Sequence, residues 1–401
     1  MINKILFIFI CFSLFLNEAG RIDLGNNIAF TLLDVSVIIF LSYNLIAFLI
    51  KKEKFSREQF TKPFLIFVAI LFFSLLLNFV HYSVTQLLVA FLYLIRFIIY
   101  CLTYLAIKKL FKTQKKFVMI SLCITFFFIL LSDFIQYFFY TNLRNLYYLG
   151  WDEHIYRLFG SFFDPNFAAA FLALGFLFFV TLWLETKKKK LNVLSYLFLL
   201  LSGVDILALF LTFSRSGLIM LFVSSLIYFG LIKKLRYFSA VIASLVIIYF
   251  VVSPNSAIVN TNLLRIVSSE ARIDSAQVAL AIIEKNPIIG VGFDAYRYAQ
   301  LRYSYRTVVG TQESHADAGT DNSFLFVWAT SGIIGLGAFL WLNYTILCQL
   351  WNEFTRKNQL FSALVLASLV GLYVDSIFIN SLFYPSLLLW TMLILGIRDY
   401  K

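Results

Sequence analysis

Residues 166–184 read NFAAAFLALGFLFFVTLWL, a run of nineteen residues without a charge. As a helix the run extends about 28 Å, close to the thickness of a bilayer's hydrocarbon core. Asp164-Pro165 precedes it and Glu185-Thr-Lys-Lys-Lys-Lys190 follows it, so polar residues close both ends. Inside lipid a backbone must satisfy its own hydrogen bonds, which leaves the helix as the default for such a run. Short alternating segments of the membrane β-barrel type do not occur.

Runs of this kind recur along the whole chain. They predict spans at 2–17, 28–50, 63–80, 85–107, 117–139, 166–184, 191–213, 216–232, 237–253, 323–350, 360–380 and 381–397. The first, with Lys4 ahead of its apolar stretch, shares features with a signal peptide and is read as a retained helix. The composition is 61% hydrophobic and 13% charged, whereas soluble domains average about 45–50% and about 25%. The expected fold is an all-α integral membrane protein of about 12 transmembrane helices. It forms a single polytopic membrane domain over residues 1–401, with no internal repeat and no second soluble domain.

A net charge of +12 raises nucleic acid as a partner, and the distribution of the charge excludes it. The basic residues sit in short clusters between apolar runs, which is a topology signal. With both termini in the cytoplasm, 22 of the 33 Lys and Arg lie inside, 10 lie outside, and Arg96 falls within a span. The bias supports that orientation. Cys11, Cys101, Cys123 and Cys348 all fall in apolar runs, with neither disulfide nor zinc spacing.

Two outer segments are long enough to fold, 140–165 and the extracytoplasmic loop 254–322. Within the second, 270–285 is predicted to be an amphipathic helix capped by Ser268 or Ser269 and ended by Asn286-Pro287. Ile273, Ala276, Leu280 and Ile283 share its expected apolar face. Charges inside spans cost about 2.5–3.5 kcal/mol each on insertion scales. Asp34, Asp133, Asp205 and Asp375 nevertheless fall in the outer halves of predicted spans, with Arg96 mid-span and Arg215 at an outer end. Each has a local reading as an ion pair or an interfacial residue. Together they predict a polar cavity beneath the outer loops.

Four segments stand out around that cavity: Gly160-Ser-Phe-Phe-Asp-Pro-Asn166, Leu211-Thr-Phe-Ser-Arg-Ser-Gly217, Arg272 through Phe293, and Asp321-Asn-Ser-Phe-Leu with Gly332-Ile-Ile-Gly335. Structural roles account for each alone: a helix start at Pro165, a tight turn at Ser-Arg-Ser-Gly, close packing at Gly332 and Gly335. Gly290-x-Gly292 lacks the strand, third glycine and helix of a dinucleotide fingerprint. Asp152-Glu153-His154 is read as a solvated loop rather than a metal site.

In this order and topology the four segments resemble the O-antigen ligase and polysaccharide polymerase family of bacterial envelope enzymes, over roughly 160–340. The resemblance implies a lipid-sugar-using membrane glycosyltransferase fold. It implies transfer of glycan from a polyprenyl-pyrophosphate-linked donor on the outer side of the membrane. In a polymerase the acceptor is a lipid-linked repeat unit; in a ligase it is a lipid or surface anchor. The location the resemblance implies is the cytoplasmic (inner) membrane of a bacterium, with membrane lipid as a further partner and chain-length regulators and flippases as candidates. No cofactor is implied, and with no Asp-x-Asp pair the reaction reads as metal-independent.

Arg215 and Arg272 match the family's two prominent arginines and are assigned to the pyrophosphate, which a guanidinium fork binds in a bidentate way. Family ligases typically carry a His directly before the Asn of the fourth motif, and here that position is Asp321. The candidate general base is therefore Asp321, or His315 six residues upstream. Asn166, Asn322 and Arg157 are candidate substrate-binding residues. The departure at Asp321 favours the polymerase over the ligase. A flippase or transporter is the competing class, disfavoured because no repeat symmetry is visible.

Overall fold

The run at 166–184 lies within helix α6 (Pro165–Lys188), which occupies the centre of the bundle. In the computed structural model, 94% of its most apolar stretch is buried. The structure describes residues 1–25, 28–52, 58–252, 267–306, 318–357 and 359–398. Asp164 caps α6, its carboxylate accepting from the amides of Asn166 (2.6 Å) and Phe167. Its Phe171 stacks on Phe126, with Trp390 packed against both rings.

All twelve predicted spans are helices. Around α6 stand α1 (Ile2–Leu16), α2 (Leu32–Ile50), α3 (Thr61–Leu77), α4 (Val84–Thr113), α5 (Lys115–Phe139), α7 (Asn192–Leu211), α8 (Arg215–Leu231) and α9 (Leu235–Val252). After α10 (Val267–Lys285) and α11 (Tyr296–Arg302) follow α12 (Ser323–Lys357), α13 (Leu360–Asp375) and α14 (Pro385–Ile397). Eight of these helices are long and apolar enough to cross a membrane; α3, α8, α13 and α14 are apolar but shorter. The chain is an all-α integral membrane protein. Among the described residues its only sheet is the hairpin β1 (Arg21–Asp23) and β2 (Ala29–Thr31). That hairpin takes the first residues expected of the second span, and a Thr31–Asp34 capping box starts α2 after it.

The expected apolar face of α10 needs correction. Of its residues Ile283 is buried as expected, but Ile273 is 56% and Leu280 45% exposed, and Ala279 and Ile282 are buried instead. The buried stripe lies a few residues round the helix, because α10 packs on α12 through that side.

α12 is two helices joined across a break at Gly332, whose φ of 66° and ψ of −173° suit only glycine. A broken helix frees backbone groups that need new partners. The segment after α10 supplies them: the amides of Val291 and Gly292 donate to Ala329 and Thr330 carbonyls, and Ile333 donates to Pro287, each at 2.9 Å. α3 secures the junction from its other side. Ser74 Oγ lies 2.7 Å from the Ile289 carbonyl and 2.8 Å from that of Thr330, while Asn78 Nδ2 donates to Gly290. A Cβ on Gly290 would collide with the backbone at Thr330, and one on Gly332 with the Ile288 carbonyl. The Gly-x-Gly and Gly-x-x-Gly segments thus form one main-chain interlock that fixes α10.

At the opposite end of the bundle, four segments assigned to one side by the charge pattern converge. Glu58 pairs with Lys108 and with Arg398 (3.2 Å), and Arg398 also pairs with Glu353 (2.8 Å). Burial opposes the Glu58 charge, yet the Lys108 and Gln349 hydrogen bonds and Arg398 hold its carboxyl down to about 2. A depressed folded pKa stabilises the fold above the unfolded value of about 4.3, and that stabilisation is lost as pH falls toward about 2. Glu58→Gln leaves two cations without their shared acid. It is expected to cost on the order of 1–3 kcal/mol, seen as a lower melting temperature of the purified protein at pH 7 and a smaller difference near pH 3.

Candidate functional site

The end of the bundle away from Glu58 holds a cavity of about 1260 Å³. Its walls come from the α1–α2 connection, α4, the 149–167 segment, α10, the 293–297 and 318–321 turns, and the 378–388 corner.

The second motif is a turn with a built interior. Ser214 caps α8, its Oγ accepting from the Gly217 amide at 3.4 Å and donating to Asn166 Oδ1 at 2.9 Å. This joins the first motif to the second. Arg157 is buried and its Nε donates to the Thr212 carbonyl at 2.8 Å, which ties the 140–165 loop to the same turn. Asn166 and Arg157 both line the cavity.

Arg272, on α10, lines the cavity. Arg215, the first residue of α8, is not among the residues that line the cavity; Arg272 is its electrostatic neighbour and its Nη2 donates to Ser269 Oγ at 2.9 Å. Two cations are thus brought together by an outer helix and a membrane helix, fifty-seven positions apart in sequence. Beneath them Asp375 accepts from Ser381.

Asp321 lines the same wall, and its amide donates to Ser275 Oγ of α10 at 3.1 Å. Burial raises its carboxyl above the ordinary range, Arg272 pulls it down, and Asp164 and Asp152 push it up further. Asp152 is also raised, by burial first and then by Asp164. Asn322 is turned to a different task. Its Oδ1 accepts from the amides of Phe324 (2.9 Å) and Leu325 (3.0 Å), capping α12, and its Nδ2 donates to Ile377. His315 lies outside the described residues.

The four span aspartates were expected to line the cavity, and they sit behind it. Asp34 is saturated by Arg96 Nε (2.6 Å) and Nη2 (2.9 Å), Tyr100 and Thr31. Asp133 and Asp205 are wholly buried. The carboxylates on the wall are Glu18, Asp23, Asp152, Glu153, Asp164, Asp294 and Asp321. A charge at membrane depth is tolerated when paired, so Asp34 holds a cation instead of facing water, whereas both carboxyl oxygens of Asp133 and of Asp205 lack a hydrogen-bond partner among the described residues.

Of the span charges expected to mark a polar cavity, Arg96 lines it; sequence reasoning missed the residues it meets there. Arg96 lies twelve residues into α4, about 18 Å along its axis, and lines the cavity with Tyr93 and Tyr100. Facing them are Asp294 and Arg297. Burial pushes the Asp294 carboxyl up to about 7, against the pull of Arg297 and Arg96. The available signal was an arginine within an apolar span, a costly residue that marks a cavity or a partner.

Against known families, residues 197–340 match a model described as O-Antigen ligase. No curated protein matches the chain. The matched span contains Arg215, Arg272 and Asp321, and ends within α12 just beyond the interlock.

Proposed function

We propose, from the match of residues 197–340 to the O-antigen ligase model, that this chain is a glycan-handling membrane enzyme of the O-antigen ligase and polymerase family, and that within it the chain acts as a polysaccharide polymerase. The donor is a glycan on polyprenyl pyrophosphate, and the acceptor is a lipid-linked repeat unit. The oxygen of an acceptor hydroxyl attacks the donor's anomeric carbon. The bond from that carbon to the phosphate oxygen breaks, and its electron pair leaves with the polyprenyl pyrophosphate. The hydroxyl proton passes to a base, Asp321 in this reading.

The observation that supports the reading best is the meeting of Arg272 and Asp321 in the cavity lining, with Arg215 as an electrostatic neighbour of Arg272. Positive charge fixed in advance where negative charge develops is often the largest catalytic contribution. A carboxylate beside it supplies the proton acceptor. Asn166 and Arg157 face the same volume and are suited to orienting sugar hydroxyls or the diphosphate. The excess of Lys and Arg on the opposite side supports a cavity that faces outside the cytoplasmic membrane.

Arg215→Ala and Arg272→Ala, made separately in the native host, test this. Surface glycan is run on a gel, with membrane levels of each variant measured in parallel. A loss on the order of 10²- to 10³-fold in transfer is expected, leaving single repeat units on the normal anchor. Full-length chains stranded on the lipid carrier would make the enzyme a ligase. An unchanged ladder in both variants at normal protein level would overturn the glycosyltransferase reading.

A further inference from the structure

The cavity exceeds what a diphosphate and its arginines occupy. Pockets for drug-sized ligands run to about 300–1,000 Å³, and this one is about 1260 Å³. Part of its lining, Arg21, Tyr93, Arg96 and Trp151, lies outside the matched residues 197–340 and adjoins Asp294 and Arg297 inside them. We propose that this part of the cavity, built by Arg21, Tyr93, Arg96, Trp151, Asp294 and Arg297, is a saccharide subsite that holds an uncharged part of the glycan rather than the diphosphate. The proposal rests on the glycosyltransferase reading for its ligand and extends it to four residues outside the matched span.

Three observations carry it. Two of the three guanidinium charges here, those of Arg96 and Arg21, are already matched. Arg96 gives two of its five N–H groups to Asp34, and Arg21 pairs with Asp23 (3.0 Å) and Glu18 (3.5 Å). A second phosphate would find its countercharge already taken, whereas neutral hydroxyls need only the remaining N–H donors. Second, the same two arginines lie beside aromatic rings, Arg21 at 5.9 Å from Trp151 and Arg96 at 5.7 Å from Tyr93. A sugar ring has an apolar C–H face and a hydroxyl edge, and a ring set beside a fixed donor answers both. Third, Asp294 lies with Arg297 and Arg96 as its electrostatic neighbours, a carboxyl that accepts from hydroxyls without adding net charge. The wall is held rigid from behind, since Tyr100 and Thr31 also bond Asp34. It is therefore preorganised rather than assembled by the ligand.

The test uses the purified full chain in detergent and two probes by titration calorimetry. One is undecaprenyl pyrophosphate without sugar. The other is the host's own surface glycan, cut to single free repeat units. Tyr93→Ala is expected to weaken repeat-unit binding by about tenfold, the scale of one lost aromatic contact, and to hold pyrophosphate binding within about twofold. Arg272→Ala is expected to do the reverse. If Tyr93→Ala binds neither probe and melts early, Trp151→Ala, on the 140–165 loop, carries the same test. Undiminished repeat-unit binding in both variants overturns the subsite, as does equal loss of both probes in variants that melt normally. Failure of wild type to bind repeat units also overturns it. Pyrophosphate binding that survives Arg272→Ala sinks the arginine assignment alone, and the subsite is then decided by the Tyr93 and Trp151 arms.

Discussion

Asp321→Asn is expected to slow glycan transfer by about 10²- to 10⁴-fold, the range for removal of a positioned general base. The substitution keeps the side chain's size and the backbone bond to Ser275, so membrane level and melting should hold. The pH profile carries the sharper information. The base works deprotonated, so activity is present above its pKa and lost as pH falls through it. Burial, Asp164 and Asp152 raise Asp321 despite Arg272. The acid limb of wild type should therefore lie above the value near 3.9 of an ordinary aspartate. Asp164→Asn should move that limb downward, since a like charge is removed. The measurement is initial rate against pH in membranes supplied with lipid-linked donor. Full activity in Asp321→Asn, with loss in His315→Gln and a limb near 6.5, would transfer the role of base to His315.

A valine at Gly332 should produce the largest loss of folded protein. The left-handed φ of 66° costs a β-branched residue about 1–3 kcal/mol. The new side chain would also meet the Ile288 carbonyl, adding overpacking of about 1–3 kcal/mol. Because the same junction seats α10, Arg272 would leave its place even in the fraction that folds. Gly337 is the control. A Cβ there meets nothing within 4 Å, so Gly337→Ala should leave melting nearly unchanged. Normal level and melting of Gly332→Val would remove the interlock from the account of this fold.

The helices were legible because lipid makes the signal coarse: about 20 apolar residues suffice, and all twelve runs formed helices. The neighbourhood of Arg215 and Arg272 was legible only through the motifs. Neither periodicity nor spacing brings positions 215 and 272 together; α10 lying across the cavity does. The face of α10 was misjudged because Ile273 and Leu280 are apolar yet point away from α12. A short amphipathic stripe does not fix which edge packs. Asn322 looked like a ligand for sugar, and its place directly before a helix gives its amide oxygen two backbone donors. The N-terminal wall was illegible for another reason. Tyr93 and Arg96 belong to no motif, and only the crossing of α4 beside the 293–297 turn gives them a common purpose.

The junction at Gly332 also sets a timetable for biogenesis. Ser74 and Asn78 enter the membrane with α3, but their partners at Ile289, Gly290 and Thr330 lie 212 to 256 residues further along the chain. At about 5–20 residues per second, a ribosome needs roughly 10–50 s to deliver them. During that interval the Ser74 hydroxyl and one N–H of the Asn78 amide, whose nitrogen also donates to the Ser74 carbonyl, lack their long-range partners in the nascent bundle, a state open to an insertion factor and to a membrane protease. A chain stopped short of residue 330 never leaves that state, so truncated products should be cleared quickly instead of accumulating as inert half-enzymes.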